Sequence, residues 1–318
     1  MSYELQNDKN KIIKIKQAII KAIAFFDMFD YPLTLNEIWQ FIFLKCELVE
    51  VFDVLEIGLP NIGAKNGFYF LSGKEKNITE RLRRYNFADR KFKRAEMLIG
   101  IFKFIPWIKM IGVANLLGAR NLKDNSDIDL FIITENKRIW LTRFFCIGII
   151  KLLGLRPQAD NRRDKICLSF FTSASTLNLE KFRLDQNDLY FIYWLAGIEP
   201  IYDKEGIYEK FIQANIWLKN YLTNWQKQIC LNKQIVRSKM FQFYYNAIDL
   251  FIGFLEQRFK TLQLKLLPQK VKSMMNRDSR VVVNDQIIKL HINDRREEYN
   301  KNYELRITNY FVAYEIFK

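Results

Sequence analysis

The chain has 318 residues, and 50 Lys+Arg against 35 Asp+Glu give a formal net charge of +15. At about 100–200 residues per domain the length predicts two or three domains, and 49% hydrophobic with 15% aromatic residues supplies their cores and excludes a disordered chain. One histidine, His291, excludes multi-histidine metal centres and HExxH sites and leaves little room for a Ser/His/Asp triad.

Cys46, Cys146, Cys167 and Cys230 are far apart with no CxxC pair, a pattern of reduced cytosolic thiols rather than a zinc site or disulfide framework. The stretch after Met1 is polar, so no signal peptide is expected. The most apolar windows are broken by Lys103, Pro106 and Lys109, and by Arg143 and Lys151, so no membrane span is expected and the expected location is cytoplasmic. The positive charge suits an anionic partner, nucleic acid or a nucleotide phosphate. The joint richness in Lys, Ile and Asn is equally what an AT-rich genome imposes.

Ile12, Ile15, Ile19, Ile23 and Phe26 recur at helical spacing and predict an amphipathic helix over 11–26. Thr34-Leu35-Asn36-Glu37 reads as a capping box opening a second helix through Phe43, and Glu50 to Ile57 predicts a third. Pro60 to Gly63 and Asn66-Gly67 are turn signals, and Phe68 to Leu71 is a short aromatic strand. Three helices and a hairpin make residues 1–75 a winged-helix-like domain. Its third helix carries Glu50, Asp53 and Glu56, which repel phosphate, so packing or protein contact is favoured over duplex DNA reading, which stays possible.

Residues 75 to 104 predict a long helix with an apolar seam of Leu82, Tyr85, Phe92 and Ile99. Its basic run, Arg83, Arg84, Arg90, Lys91, Lys93 and Arg94, is either a solvated face or a wall beside a phosphate-binding cleft. Strands are predicted at Gly112 to Leu117, Asp127 to Thr134 and Lys165 to Thr172, with a helix from Arg138 to Leu153. Helices at Asp188 to Ala196, Tyr208 to Ile229 and Ser238 to Leu266 predict a C-terminal helical bundle, with a short strand at Val281 to Val283. The expected division is therefore 1–75, 76–180 for a mixed α/β domain with its leading helix, and 181–318, an α+β protein overall.

The chemistry concentrates in Ser126-Asp127-Ile128-Asp129-Leu130. Positions i and i+2 on a strand share a face roughly 6.5 Å apart, so both carboxylates can grip Mg²⁺ while Ile128 and Leu130 turn into the core. A surface carboxylate pair at a strand end is the plainer alternative.

The stretch from Gly112 to Thr134 resembles the nucleotidyltransferase superfamily of DNA polymerase beta, and the layout around it resembles bacterial-type proteins with such a domain. The resemblance implies that Asp127 and Asp129 hold Mg²⁺ and a nucleoside triphosphate. It also implies a Gly-Ser turn about ten residues earlier, and a third carboxylate on a later strand. Here Asn115-Leu116 stands where Gly-Ser belongs, and Gly118-Ala119 is the alternative register. The expected nucleotide contacts are Asn115, Leu116, Gly118, Arg120, Lys123 and Ser126. On the third strand Cys167 and Ser169 are expected to face the cleft, and neither is acidic; Asp164 and Asp160 are the nearest acids.

The implied activity is transfer of a nucleoside monophosphate to a hydroxyl on a small molecule, RNA end or protein. The alternative is a catalytically degenerate binding or regulatory protein. His291 paired with Asp294 as a base, Arg162-Arg163 on phosphate, and Trp140, Trp194, Trp217 and Trp225 as stacking platforms are weighed against structural roles, which are favoured for each.

Overall fold

The computed structural model describes residues 3–114, 121–158, 160–227, 233–234 and 239–314, and these form an α+β protein. The first elements are α1 (Tyr3–Asp27), β1 (Leu33–Thr34), α2 (Leu35–Phe41), α3 (Leu48–Ile57), β2 (Ile62–Lys65) and β3 (Phe68–Leu71). The strands pair antiparallel in the order β1-β3-β2. Ile15, Ile19, Ile23 and Phe26 are buried along α1, whereas Ile12 stays exposed.

The capping box forms as its spacing predicts. The Glu37 backbone N–H donates to Thr34 Oγ1, and Glu37 Oε2 accepts from the Thr34 N–H at 2.8 Å. Asn66 and Gly67 both hold positive φ, 53° and 75°, the left-handed pair that a tight two-residue hairpin needs. Gly63, taken with Pro60 as a turn signal, instead lies inside β2, where a Cβ would come 2.7 Å from the Phe70 ring.

The long helix α4 (Lys76–Phe102) leads to β4 (Ile108–Val113), β5 (Ile128–Thr134), α5 (Ile139–Leu152) and β6 (Ile166–Ser173). Then come α6 (Leu189–Ala196), β7 (Glu199–Lys204), α7 (Ile207–Ala214), β8 (Lys233–Gln234), α8 (Lys239–Ile252), α9 (Glu256–Leu266) and α10 (Gln269–Met274). The chain closes with β9 (Val281–Val283), β10 (Ile287–Leu290) and α11 (Arg296–Tyr314). The mixed sheet runs β8-β7-β4-β5-β6-β10-β9, with β5 and β6 parallel at its centre and joined through α5.

This corrects the expectation of a helical C-terminal domain, although the short strand expected at Val281 to Val283 does form, as β9. β7, β9 and β10 come from beyond residue 181 and complete the sheet, and the helix expected from Tyr208 to Ile229 ends at Ala214. β7 and β10 are too short for a period to betray them, and the central strands they join, β4 and β6, lie far away in sequence.

The sheet is buried on both faces. One face packs Met110, Phe131, Ile133 and Phe170 against α6 and α7, in an apolar core that continues into α1 to α3 and α11. The other face packs Ile128, Leu130, Ile132 and Phe171 against α4, α5 and α10. The N-terminus of α5 has no cap of its own. Glu256, at the start of α9, accepts from the backbone N–H of Trp140 at 2.8 Å and of Leu141 at 3.0 Å. Glu256→Ala orphans both buried donors, and a loss of about 2–4 kcal/mol is expected in denaturant unfolding; a loss below about 0.5 kcal/mol would show that the cap contributes nothing.

Candidate active-site cleft

Strand β5 alternates as its sequence requires. Ile128, Leu130 and Ile132 are buried, and Asp127 and Asp129 look into a cleft of about 700 Å³. Pairing with β6 sets Cys167 directly opposite Asp129. Donor atoms of Asp127, Asp129 and Cys167 all lie within 4.8 Å of one another. Burial, and next the charge of Asp127, push the Asp129 carboxyl up to about 7. A divalent cation between them would remove that repulsion, so the carboxylate pair fits a bound divalent cation, with a thiol as the third donor beside it.

A row of polar groups continues across β6. Cys167 donates to the Asp129 carboxylate, and Ser169, the next residue on that face, lies 2.9 Å from His291 Nε2 just past β10. Burial, with Lys289 adding to it, holds His291 down to about 3, so its ring is neutral at physiological pH. The structural role favoured for His291 agrees with its place here, where its Nε2 meets Ser169 and no bond to Asp294 forms. Both Asp294 carboxylate oxygens instead share the single Arg296 Nε–H at 2.9 Å, and Arg296 also reaches Asp188 at 2.7 Å. Asp294 is turned toward that guanidinium, and the Nε2 of the imidazole is taken up by Ser169.

Lys123, Ser126 and Arg162 line the same cleft as the two aspartates. Ser126 Oγ donates to the Lys123 carbonyl at 2.9 Å, which ties the loop into β5. Asn115, Leu116, Gly118 and Arg120 lie outside the described residues. Arg163 turns away from the cleft toward Asp124, 3.3 Å distant.

The basic run of α4 divides: Arg83 and Lys93 are exposed, as a solvated face would have them, whereas Arg84 and Lys91 turn inward and none of the six lines the cleft. Arg81, Arg84 and Lys91 are buried and spent on internal acceptors, while Leu82 of the expected seam is exposed. Arg81 clasps Glu37 at 2.7 and 2.8 Å, and Arg84 donates to the Phe29 carbonyl and to Asn121. Lys91, fully buried, donates to Asp164 at 2.8 Å and to the carbonyls of Asp124 and Ser126. Asp164 is thereby removed as a third catalytic acid. Burial raises its carboxyl, but bonds from Lys91 and Arg90 outweigh it and hold the group below its usual range. Asp160 is exposed and lines no part of the cleft.

The far wall comes from segments whose role no local motif reveals: Tyr190 and Trp194 on α6, and Asn293, Arg295 and Tyr299 around the start of α11. Tyr190 and Tyr299 stack at 5.1 Å with their planes 9° apart. Trp194 is mostly core, as expected, yet one edge reaches the cleft, and its Nε1 donates to the Ala114 carbonyl at the end of β4. Trp140, Trp217 and Trp225 are buried. Only the aromatic run Tyr190 to Trp194 could have drawn attention, and it reads equally as a core helix.

No described helix is long and apolar enough to cross a membrane. Comparison with protein-family models, with curated proteins and with solved structures finds no match to this chain.

Proposed function

We infer that the cleft transfers a nucleoside monophosphate from a nucleoside triphosphate to a hydroxyl acceptor. Asp127 and Asp129 would hold the divalent cation, for which Mg²⁺ is the expectation from sequence. The observation that carries this reading is the carboxylate pair at the start of β5, opening into a cleft that Lys123 and Arg162 share. When bound, the cation neutralises phosphate charge and makes the α-phosphorus more electrophilic.

The protein's own groups then divide the remaining work. Lys123 and Arg162 offset phosphate charge, and Tyr190, Trp194 and Tyr299 offer flat apolar surface to a base or sugar and keep water out. In the transfer the acceptor oxygen bonds to the α-phosphorus, the bond to the β-phosphate oxygen breaks, and pyrophosphate leaves. In finer terms the central sheet is read as a nucleotidyltransferase fold and the first 75 residues as a winged helix. The acidic surface of α3, Asp53 and Glu56, favours a protein contact for that helix over DNA.

Calorimetry with each nucleoside triphosphate and Mg²⁺ tests the site. Wild type is expected to bind, and Asp127→Ala with Asp129→Ala to lose at least about 100-fold in affinity, the scale of losing a metal's ligands; unchanged binding rejects the cation site. A second reading, a nucleotide-binding regulator without turnover, is favoured by one observation: Cys167 and Ser169 occupy the β6 positions beside the pair, and Asp164 is locked away. Metal-dependent binding with no pyrophosphate released across small-molecule, RNA and protein acceptors would select it. Affinity for duplex DNA is expected to be undetectable; a steep salt-dependent affinity would reverse that assignment.

A further inference from the structure

The residue opposite Asp129 is a thiol, and that choice bears on which ion the site takes. Oxygen and sulfur donors on one ion, at about 2.1 and 2.3 Å from it, sit roughly 3.5 Å apart. Atoms already within 4.8 Å of one another reach that spacing by small side-chain rotations. Mg²⁺ demands oxygen ligands in near-octahedral order, whereas thiolate selects borderline-soft ions. Two carboxylates and one thiolate supply three protein donors and leave coordination open to solvent or substrate, the pattern of catalytic rather than structural zinc.

The groups behind the sulfur favour the same ion. Ser169 is hydrogen-bonded both to Cys167 and to His291. With one hydroxyl proton to give, Ser169 donates to the sulfur when the neutral His291 ring donates from Nε2. That order of donors suits a metal-bound thiolate, whose charge the serine hydroxyl would stabilise.

We propose that Asp127, Asp129 and Cys167 bind a divalent cation of the Zn²⁺/Co²⁺ class in preference to Mg²⁺. This rests on the carboxylate pair being a cation site, as the proposed function requires, and adds that the thiol sets the ion's identity. Co²⁺ titration of the full chain, followed through the sulfur-to-cobalt charge-transfer band in the near ultraviolet, reads the thiol directly.

Wild type is expected to show the band, and both Cys167→Ser and Asp127→Asn to lose it while keeping the wild-type melting curve within a few degrees. Competition calorimetry is expected to find Zn²⁺ at least about 100-fold tighter than Mg²⁺, and Cys167→Asp to narrow that ratio by about tenfold or more. Ion binding without a band, unchanged by Cys167→Ser, overturns the role of the thiol and leaves the carboxylate site standing. No ion bound by wild type, or a band that survives Asp127→Asn, overturns both.

Discussion

Asp129→Asn is expected to raise the stability of the metal-free protein at neutral pH while abolishing its cation-dependent binding of triphosphate. Burial and the neighbouring Asp127 charge put the folded-state carboxyl of Asp129 at about 7, against an ordinary value of 3.8. The folded protein thus holds this proton more tightly than the unfolded chain. The resulting stability is fully present below about pH 4 and is lost as pH rises through 7. At pH 8 the wild type carries an ionised, repelled carboxylate that asparagine replaces without charge. After allowance for solvent reaching the cleft, a gain of about 1–2 kcal/mol, or a few degrees in Tm, is expected.

The same substitution removes half of the carboxylate pair, and a loss of at least about 100-fold in metal-dependent affinity should accompany the gain. Melting curves from pH 4 to 9 check the first half: wild type declines relative to the variant across pH 4 to 7, and adding divalent cation restores it. Parallel pH profiles for the two proteins would show that Asp129 is not strained by its setting. A functional group that destabilises its own fold is ordinary at sites arranged to receive charge.

Lys91→Met should cost about 3–5 kcal/mol, because it strips a fully buried ammonium from a carboxylate and two carbonyls. The methionine fills the volume, so the loss reports polar groups left unpaired rather than a cavity. Asp164 retains Arg90, at 3.0 Å, which keeps the expected cost from being larger. Lys91→Met combined with Asp164→Asn is expected to recover part of the loss, the signature of an uncompensated charge.

The two carbonyls that Lys91 holds belong to Asp124 and Ser126, immediately before Asp127. Triphosphate affinity is therefore expected to fall by about tenfold even where the variant is still folded, since a small displacement of a site costs binding energy quickly. Urea unfolding gives the first number and calorimetry at a temperature well below the melting point gives the second. A variant as stable as wild type would remove Lys91 as the anchor of this loop.

The elements that were legible along the chain are those governed by near neighbours. The capping box of Thr34 and Glu37, the left-handed Asn66-Gly67 turn and the β5 alternation each depend on residues within a few positions. The same holds for Cys167 and Ser169, whose shared face follows from strand period alone and which both line the cleft. The basic run of α4 could be read only in part, because residue type does not tell whether a cation faces water, as Arg83 and Lys93 do, or a buried acceptor. Beyond the neighbours that Arg81 and Arg84 meet one turn away, Arg81, Arg84 and Lys91 find their partners 33 to 73 positions away, on elements that meet only in the folded chain.

By itself the sequence determined the α+β composition, the strand that carries Asp127 and Asp129, and the exclusion of histidine-rich chemistry, because each follows from local period or from counting. Only the tertiary structure decided what surrounds those carboxylates. It set Cys167 opposite Asp129 through strand register and withdrew Asp164 behind Lys91. It also brought Tyr190, Trp194, His291, Arg295 and Tyr299 to the same cleft from the second half of the chain. The physical reason is that a site of this kind is built where strands from distant segments pair, and the contact free energy that chooses those pairings belongs to the whole core and not to any stretch of sequence.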